Sequence, residues 1–310
     1  MITYYFRTLK DDSLKELKEP RSGVWVDVYD PTDEELEKLV KNFSLDPDIV
    51  EDAKDLYEIP RMERAESITY FFTRYPHRAE NQNQVDVTAP ILIVIGGTFV
   101  MTIHAREVPQ FNKIISGQEN VHTTQKTKFF IHIMSLLTNS FDRELKRLQK
   151  AVHKDRVRLS RIGPKDIERL VGHENSLNNM VDALVPTNIW LQKVTGSKVY
   201  MQFYDEDIEI MQDLVIANSQ VVNSARSVLT TIQNIRGSIE AIMTSRLNNA
   251  LKILTVLTIL LTIPLVITSM YGMNIDLPLQ GNPHTFFFIL GFSVILLTSL
   301  VFIFRKNEWL

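Results

Sequence analysis

Two stretches without charge near the end of the chain constrain it more than any other feature. Residues 253–270 form a run of eighteen, and residues 285–304 a run of twenty, with no Asp, Glu, Lys or Arg. About 20 apolar residues, each rising about 1.5 Å along a helix, cross the hydrocarbon of a bilayer. The pattern predicts a membrane hairpin whose connecting loop opens with Tyr271-Gly272-Met273-Asn274. Arg246 and Lys252 precede the first run, Arg305 and Lys306 follow the second, and residues 271–284 contain neither Lys nor Arg. The positive-inside rule then places both ends of the hairpin in the cytoplasm and the loop outside.

The first run is not uniformly apolar. Thr255, Thr258, Thr262 and Ser269 recur at spacings of three, four and seven, along one side of a helix. Extending that stripe adds Asn248, Leu251 and Leu265. After Thr285 the second run has far fewer polar residues, Ser293, Thr298 and Ser299, and opens on the bulky Phe286-Phe287-Phe288. One helix has a side suited to protein or water, and the other looks suited to lipid. The alternative for the stripe is that its hydroxyls join helices or bond to their own i−4 carbonyls. Pro264 should bend the span.

The remainder reads as soluble. Residues 2–6, 24–29, 67–75, 87–95 and 98–104 read as strands, and 11–18 as a charged helix-like segment. Thr32 and Glu35 form a capping box for a helix with Leu36, Leu39, Val40 and Phe43 on its apolar face. A short helix follows Asp46-Pro47, and Gly96-Gly97 is a hairpin turn rather than a phosphate loop, since no G-x-x-x-x-G-K pattern is present. Residues 127–161 and 164–194 read as two helices of an antiparallel hairpin, broken at Gly163-Pro164. Its basic clusters, Lys146-Arg147 and 154–158, are read as a solvated face, with anionic headgroups or a neighbouring subunit's acids as the other possibility. From Asp205 a long helix runs into the first span, with Ile208, Met211, Val215, Val222, Ala225, Leu229, Ile232, Ile239 and Met243 in a coiled-coil-like seam. Few charges interrupt residues 214–251, so burial among copies of the chain is expected. The domain division is residues 1–120, a cytoplasmic α/β domain; 121–200, a helical hairpin; 201–250, a stalk; and 251–310, the membrane pore unit.

Composition removes several classes of function. A net charge of −3 gives no case for nucleic acid, and the absence of cysteine excludes disulfides and thiolate metal sites. Residues 1–9 are strand-like, so no signal peptide is expected. His173-Glu174 lacks the second His of H-E-x-x-H, and neither a nucleophile elbow nor a P-loop occurs, so an enzyme is not expected.

The Gly272-Met273-Asn274 sequence, at the outer end of the first of two C-terminal spans, resembles the signature of the CorA family of divalent-cation transporters. Trp25-Val26-Asp27-Val28, Asp30-Pro31-Thr32, Val50-Glu51-Asp52-Ala53, Pro60-Arg61 and residues 99–104 are similar, in order, to that family's cytoplasmic domain. The resemblance implies a homopentameric funnel in the plasma membrane. The first span would line a central pore, and Gly272, Met273 and Asn274 would form the selectivity filter. It also implies passive Mg2+ influx gated by cytoplasmic divalent ions, with no cofactor beyond bound Mg2+. The acids at the start of the long helix are Asp205, Glu206, Asp207, Glu209 and Asp213. Asp205 to Asp207 suit the helix macrodipole. Asp213, with Asp207 and Glu209, resembles the family's regulatory divalent-ion position between subunits. Asp276, the only acid in the loop, could raise local cation concentration. The sequence around it, Ile275-Asp276-Leu277-Pro278-Leu279, departs from the best-known members, which leaves Zn2+, Co2+ or Ni2+ open as the preferred ion. A nonconducting membrane-anchored scaffold is the other reading.

Overall fold

The computed structural model describes residues 1–77, 87–157, 163–197, 199–275, 278, 282, 284–307 and 309. The chain divides into two units, Met1–Ile235 and Arg236–Leu310. The first contains seven strands, β1 (Ile2–Phe6), β2 (Lys15–Leu17), β3 (Val24–Tyr29), β4 (Arg61–Ala65), β5 (Ile68–His77), β6 (Val87–Ile95) and β7 (Phe99–His104). They form one sheet in the order β2-β1-β3-β7-β6-β5-β4, parallel only between β3 and β7. The helices are α1 (Asp33–Phe43), α2 (Pro47–Glu51), α3 (Phe111–Ile115), α4 (Lys126–Val157), α5 (Pro164–Thr195), α6 (Asp205–Tyr271) and α7 (Thr285–Lys306).

Both faces of the sheet are buried, which is why its central strands read as continuous apolar runs. Trp25, Phe71, Ile91, Ile93 and Val100 pack with Phe129, Phe130, Met134 and Trp190 of α4 and α5. Their alternating neighbours Val24, Val26, Leu92, Val94 and Met101 pack with Leu36, Leu39, Ile49 and Val50 of α1 and α2. The parallel β3–β7 pair is held by a polar chain as well as by its ladder. Trp25 Nε1 donates to Thr102 Oγ1 at 2.9 Å, Thr102 donates to Asp27 Oδ1 at 2.7 Å, and His104 Nε2 lies 3.0 Å from the same oxygen.

Local chemistry sets the elements as expected at several points. The Thr32–Glu35 capping box forms, and Asp46 caps α2 with Pro47 in the first turn. At the β6–β7 turn, a Cβ on Gly96 would lie 2.3 Å from the Phe99 ring, so glycine is required there by close approach. Lys126 Nζ donates to the Gly96 carbonyl at 2.7 Å and also to that of Gly97, so the turn is tied to α4.

Two expectations are corrected. Residues 11–18 are not helical: they contain β2, an edge strand paired to β1 with Tyr4 opposite Leu17. Asp11 accepts from Thr8 N–H and Oγ1 in a tight turn, and the free edge of β1 offers the ladder bonds that so short a helix would lack. The seam of α6 is also covered differently. Met211, Leu214, Val222, Ala225, Ile232 and Ile235 are buried within a single chain, without copies of it. Met211 and Leu214 belong to the core of Trp190, Leu191 and Val194, and Asn218 Nδ2 donates to Leu184 O at 3.0 Å, so α5 supplies cover. The basic cluster Lys146-Arg147 pairs along its own helix, with Asp142 and Glu144 respectively. Arg158, of the second cluster, lies outside the described residues.

Asp155 of α4 is buried and takes Arg169 of α5 at 2.6 Å, and His173 Nε2 lies 3.8 Å from its other oxygen. Burial of His173, reinforced by Arg169 and Arg147 and only partly offset by Asp155, holds its imidazole below the ordinary value. The unfolded chain therefore takes up this proton first as pH drops. Stability is complete above about 6.5 and declines as the pH falls through the lower folded value. His173→Gln should flatten that decline. Denaturation midpoints of the full-length protein between about pH 7.5 and 5.5 would test it, an unchanged slope excluding His173 as a source.

Candidate functional site

The second unit contains the two long apolar helical segments, the C-terminal part of α6 and the whole of α7, each of a length and composition able to cross a membrane. Within the unit, α6 has one covered side: Val256 is buried, and Ile259, Leu260, Ile263, Pro264 and Ile267 are half-buried. In α7, Thr285 and Ser293 are buried. Successive helical residues advance about 100°, which centres the stripe Asn248, Leu251, Thr255, Thr258, Thr262, Leu265 and Ser269 about 130° around the helix from Val256, with Asn248 and Thr255 at its near edge. All seven are exposed in the single chain.

The three threonine hydroxyls on that stripe are bonded to their own helix. Thr255 donates to Leu251 O at 2.8 Å, Thr258 to Leu254 O at 2.9 Å and Thr262 to Thr258 O at 2.7 Å. A hydroxyl has one proton and two lone pairs. With the proton turned to the backbone, the lone pairs remain free to accept from water or to face a cation. The local i−4 bonding expected as an alternative is therefore present, and it leaves the stripe an acceptor surface.

At the end of α6, Gly272 N–H donates to Thr268 O at 3.0 Å and Ser269 O at 3.1 Å, and Met273 N–H to Met270 O at 3.3 Å. These bonds close the last turn and deliver Asn274 beyond it. A Cβ on Gly272 would meet only ordinary contacts among the described residues, at 3.5 Å from Ser269 O, so none of them demands glycine there. Met273 and Asn274 are exposed, and the Asn274 carboxamide makes no hydrogen bond among the described residues. Tyr271 OH donates to Pro278 O at 3.4 Å, tying the loop to the helix end. Asp276 lies outside the described residues.

The acids at the start of α6 do not share one face. Asp207 is fully buried; its Oδ2 accepts from Tyr204 N–H at 3.4 Å, closing the first turn, and its Oδ1 has no partner among the described residues. Glu209 and Asp213, four residues apart and exposed, lie together on another side. Among the described residues, no three His, Asp or Glu side chains converge on a common point. Sequence reasoning missed the polar seam where α6 meets α5. There Asn188 Nδ2 donates to Ser219 Oγ at 2.9 Å, and Asn218 is fully buried. Only Asn218, a polar break in an apolar repeat, signalled it.

Comparison with known proteins follows this geometry. Residues 21–306 match the family model described as CorA-like Mg2+ transporter protein. The cobalt/magnesium transport protein CorA of Methanocaldococcus jannaschii is 29% identical, over 97% of this chain and 98% of its own. The complete structure of the magnesium transporter CorA from that organism superimposes with a TM-score of 0.87 at 23% identity, over 100% of this chain and 99% of that one. The cytoplasmic domain of ZntB from Vibrio parahaemolyticus gives a TM-score of 0.64 at 7% identity, covering 78% of this chain and 98% of its own. With almost the whole length matched by the family model, the chain belongs to the CorA-like Mg2+ transporter family.

Proposed function

We propose that this protein is a Mg2+ channel of the plasma membrane, assembled as a homopentamer, with N- and C-termini in the cytoplasm and α6 lining a central pore. The observation that carries the reading is the exposed Asn274 carboxamide, without a hydrogen bond among the described residues, at the end of a helix whose hydroxyl stripe is exposed away from its covered side. Mg2+ releases its waters reluctantly. A ring of Asn274 oxygens at the outer mouth would accept hydrogen bonds from those waters without stripping them. Deeper in, Thr255, Thr258, Thr262 and Ser269 would offer lone pairs to the hydrated ion, and Leu251 and Leu265 would form apolar constrictions that gate by dewetting. The spans contain no acid or His to relay protons, which favours passive flow down the electrochemical gradient. Exposed apolar residues beside the acids, Ile189, Ile210 and Ile216, suit contact with a second copy. The relative from Methanocaldococcus jannaschii carries both cobalt and magnesium in its name, so Co2+ is the natural second cargo.

Asn274→Ala should lower Mg2+ flux into liposomes at least about tenfold while the pentamer elutes intact, because a positioned polar ring is lost without a packed contact. Unchanged flux removes Asn274 from the filter. Since the chain has no cysteine, single cysteines report pore exposure without background. Thr255→Cys should react with a membrane-impermeant thiol reagent, and the adjacent Val256→Cys should not. Equal labelling, or none at either, would remove the wet stripe.

Glu209 and Asp213 are the acids we assign to a regulatory cation held between subunits, where a divalent ion offsets carboxylate repulsion and favours the closed state. Asp207, buried under its own first turn, would serve α6 rather than the ion. Asp213→Lys should therefore blunt inhibition of flux by internal Mg2+, and inhibition at the wild-type concentration would retire the site.

A further inference from the structure

A cavity of about 430 Å³ in the first unit is unrelated to the pore or to the acids of α6. Three elements build its wall. Pro76 and His77 end β5, Glu107, Pro109 and Gln110 precede α3, and Ser140, Arg143, Glu144 and Arg147 come from α4. Positions 140, 143, 144 and 147 fall on one helix face, so α4 presents them to the cavity together. Its size is that of a small-molecule site.

Two groups in the wall lack partners among the described residues. Gln110 is only 9% exposed, and its buried Oε1 has no donor among the described residues. Buried amide oxygens are nearly always paired, so this one marks a position in the wall where a hydrogen-bond donor would be accepted. Arg143 makes no ion pair or hydrogen bond among the described residues, whereas Arg147 donates to Glu144 Oε1 at 2.6 Å and Glu107 accepts from Asn112 at 3.4 Å. The free guanidinium is a fork suited to phosphate oxygens. The acids and arginines of the wall balance, two of each, which weakens attraction for a bare anion and leaves recognition to a ligand that uses both ends.

We propose that this cavity binds a small phosphorylated metabolite that carries hydroxyl or amino donors, its phosphate on Arg143 and its donors on Gln110. A ribose phosphate has both features at this scale. Nothing in the assignment depends on what the second unit transports. Calorimetric titration of the full-length protein in detergent with ribose 5-phosphate, AMP, ribose and inorganic phosphate tests it. Ribose 5-phosphate or AMP should bind, and Arg143→Gln and Gln110→Leu should each weaken binding at least about tenfold. Gln110→Leu should leave the melting temperature of the ligand-free protein unchanged or higher, since an unpaired buried oxygen is removed. The proposal is overturned if neither phosphorylated probe binds the folded wild type, if both variants bind as tightly as it does, or if inorganic phosphate alone binds equally well.

Discussion

Hydrocarbon supplies no hydrogen-bond partner, and the C-terminal unit is shaped by that constraint. Apolar side chains such as Leu257, Leu261, Phe286 and Phe287 are exposed in the single chain, yet their exposure to lipid costs nothing. Polar groups are the ones that need an account. Thr255, Thr258 and Thr262 place their protons on carbonyls of the same helix, so no donor is stranded whichever side of α6 meets the acyl chains. Among the described residues of α6 and its end, what is not satisfied internally includes a line of hydroxyl lone pairs and the Asn274 carboxamide. The exposure of the Thr255, Thr258 and Thr262 hydroxyls, against the burial of Val256, makes the two sides of α6 physically different surfaces.

Water imposes the opposite demand on the first unit, where the central strands are buried on both faces by helices. Its two edges, by contrast, are short and charged: Lys15 and Glu16 in β2, Arg61 and Glu63 in β4. Charged side chains on exposed edges discourage pairing with other chains. The same residues hid these strands from the sequence. The central strands were legible because apolar residues fill them, whereas Arg61-Met62-Glu63-Arg64-Ala65 has no apolar alternation and is a strand only because β5 pairs with it. Arg61 is fixed there by Asp52 at 2.6 Å and by its stack on Phe72. None of these partners is signalled by local propensity.

A similar limit separates the pattern of α6 from its setting. Steps of three and four from Met211 to Ile239 declare that one side of a helix is buried, but periodicity carries no information about what buries it. Much of that cover comes from the same chain, through Trp190, Leu191, Val194 and the carbonyl of Leu184. The acids of α6 divide in the same way. Their spacing was visible, but the inward turn of Asp207 beneath Tyr204 depends on where the helix starts, a boundary that sequence marks only loosely. Legibility was greatest where one residue type has one physical use, as in the Thr32–Glu35 box and the charge-free runs. It was least for the β5–α4 cavity, whose wall draws His77, Gln110 and Arg143 from distant parts of the chain.

The chemistry at the end of α6 explains why a carboxamide suits the proposed pore mouth better than an acid. A helix C-terminus carries roughly half a negative charge from its unpaired carbonyls, and in the proposed assembly several such ends would gather around one axis. That field already attracts a divalent cation. Adding a ring of carboxylates would deepen the well and slow release, while a ring of Asn274 oxygens supplies acceptors without net charge. Strong attraction from the backbone and weak, numerous contacts from the side chains is the combination that a fully hydrated, slowly dehydrating ion requires to enter and still leave.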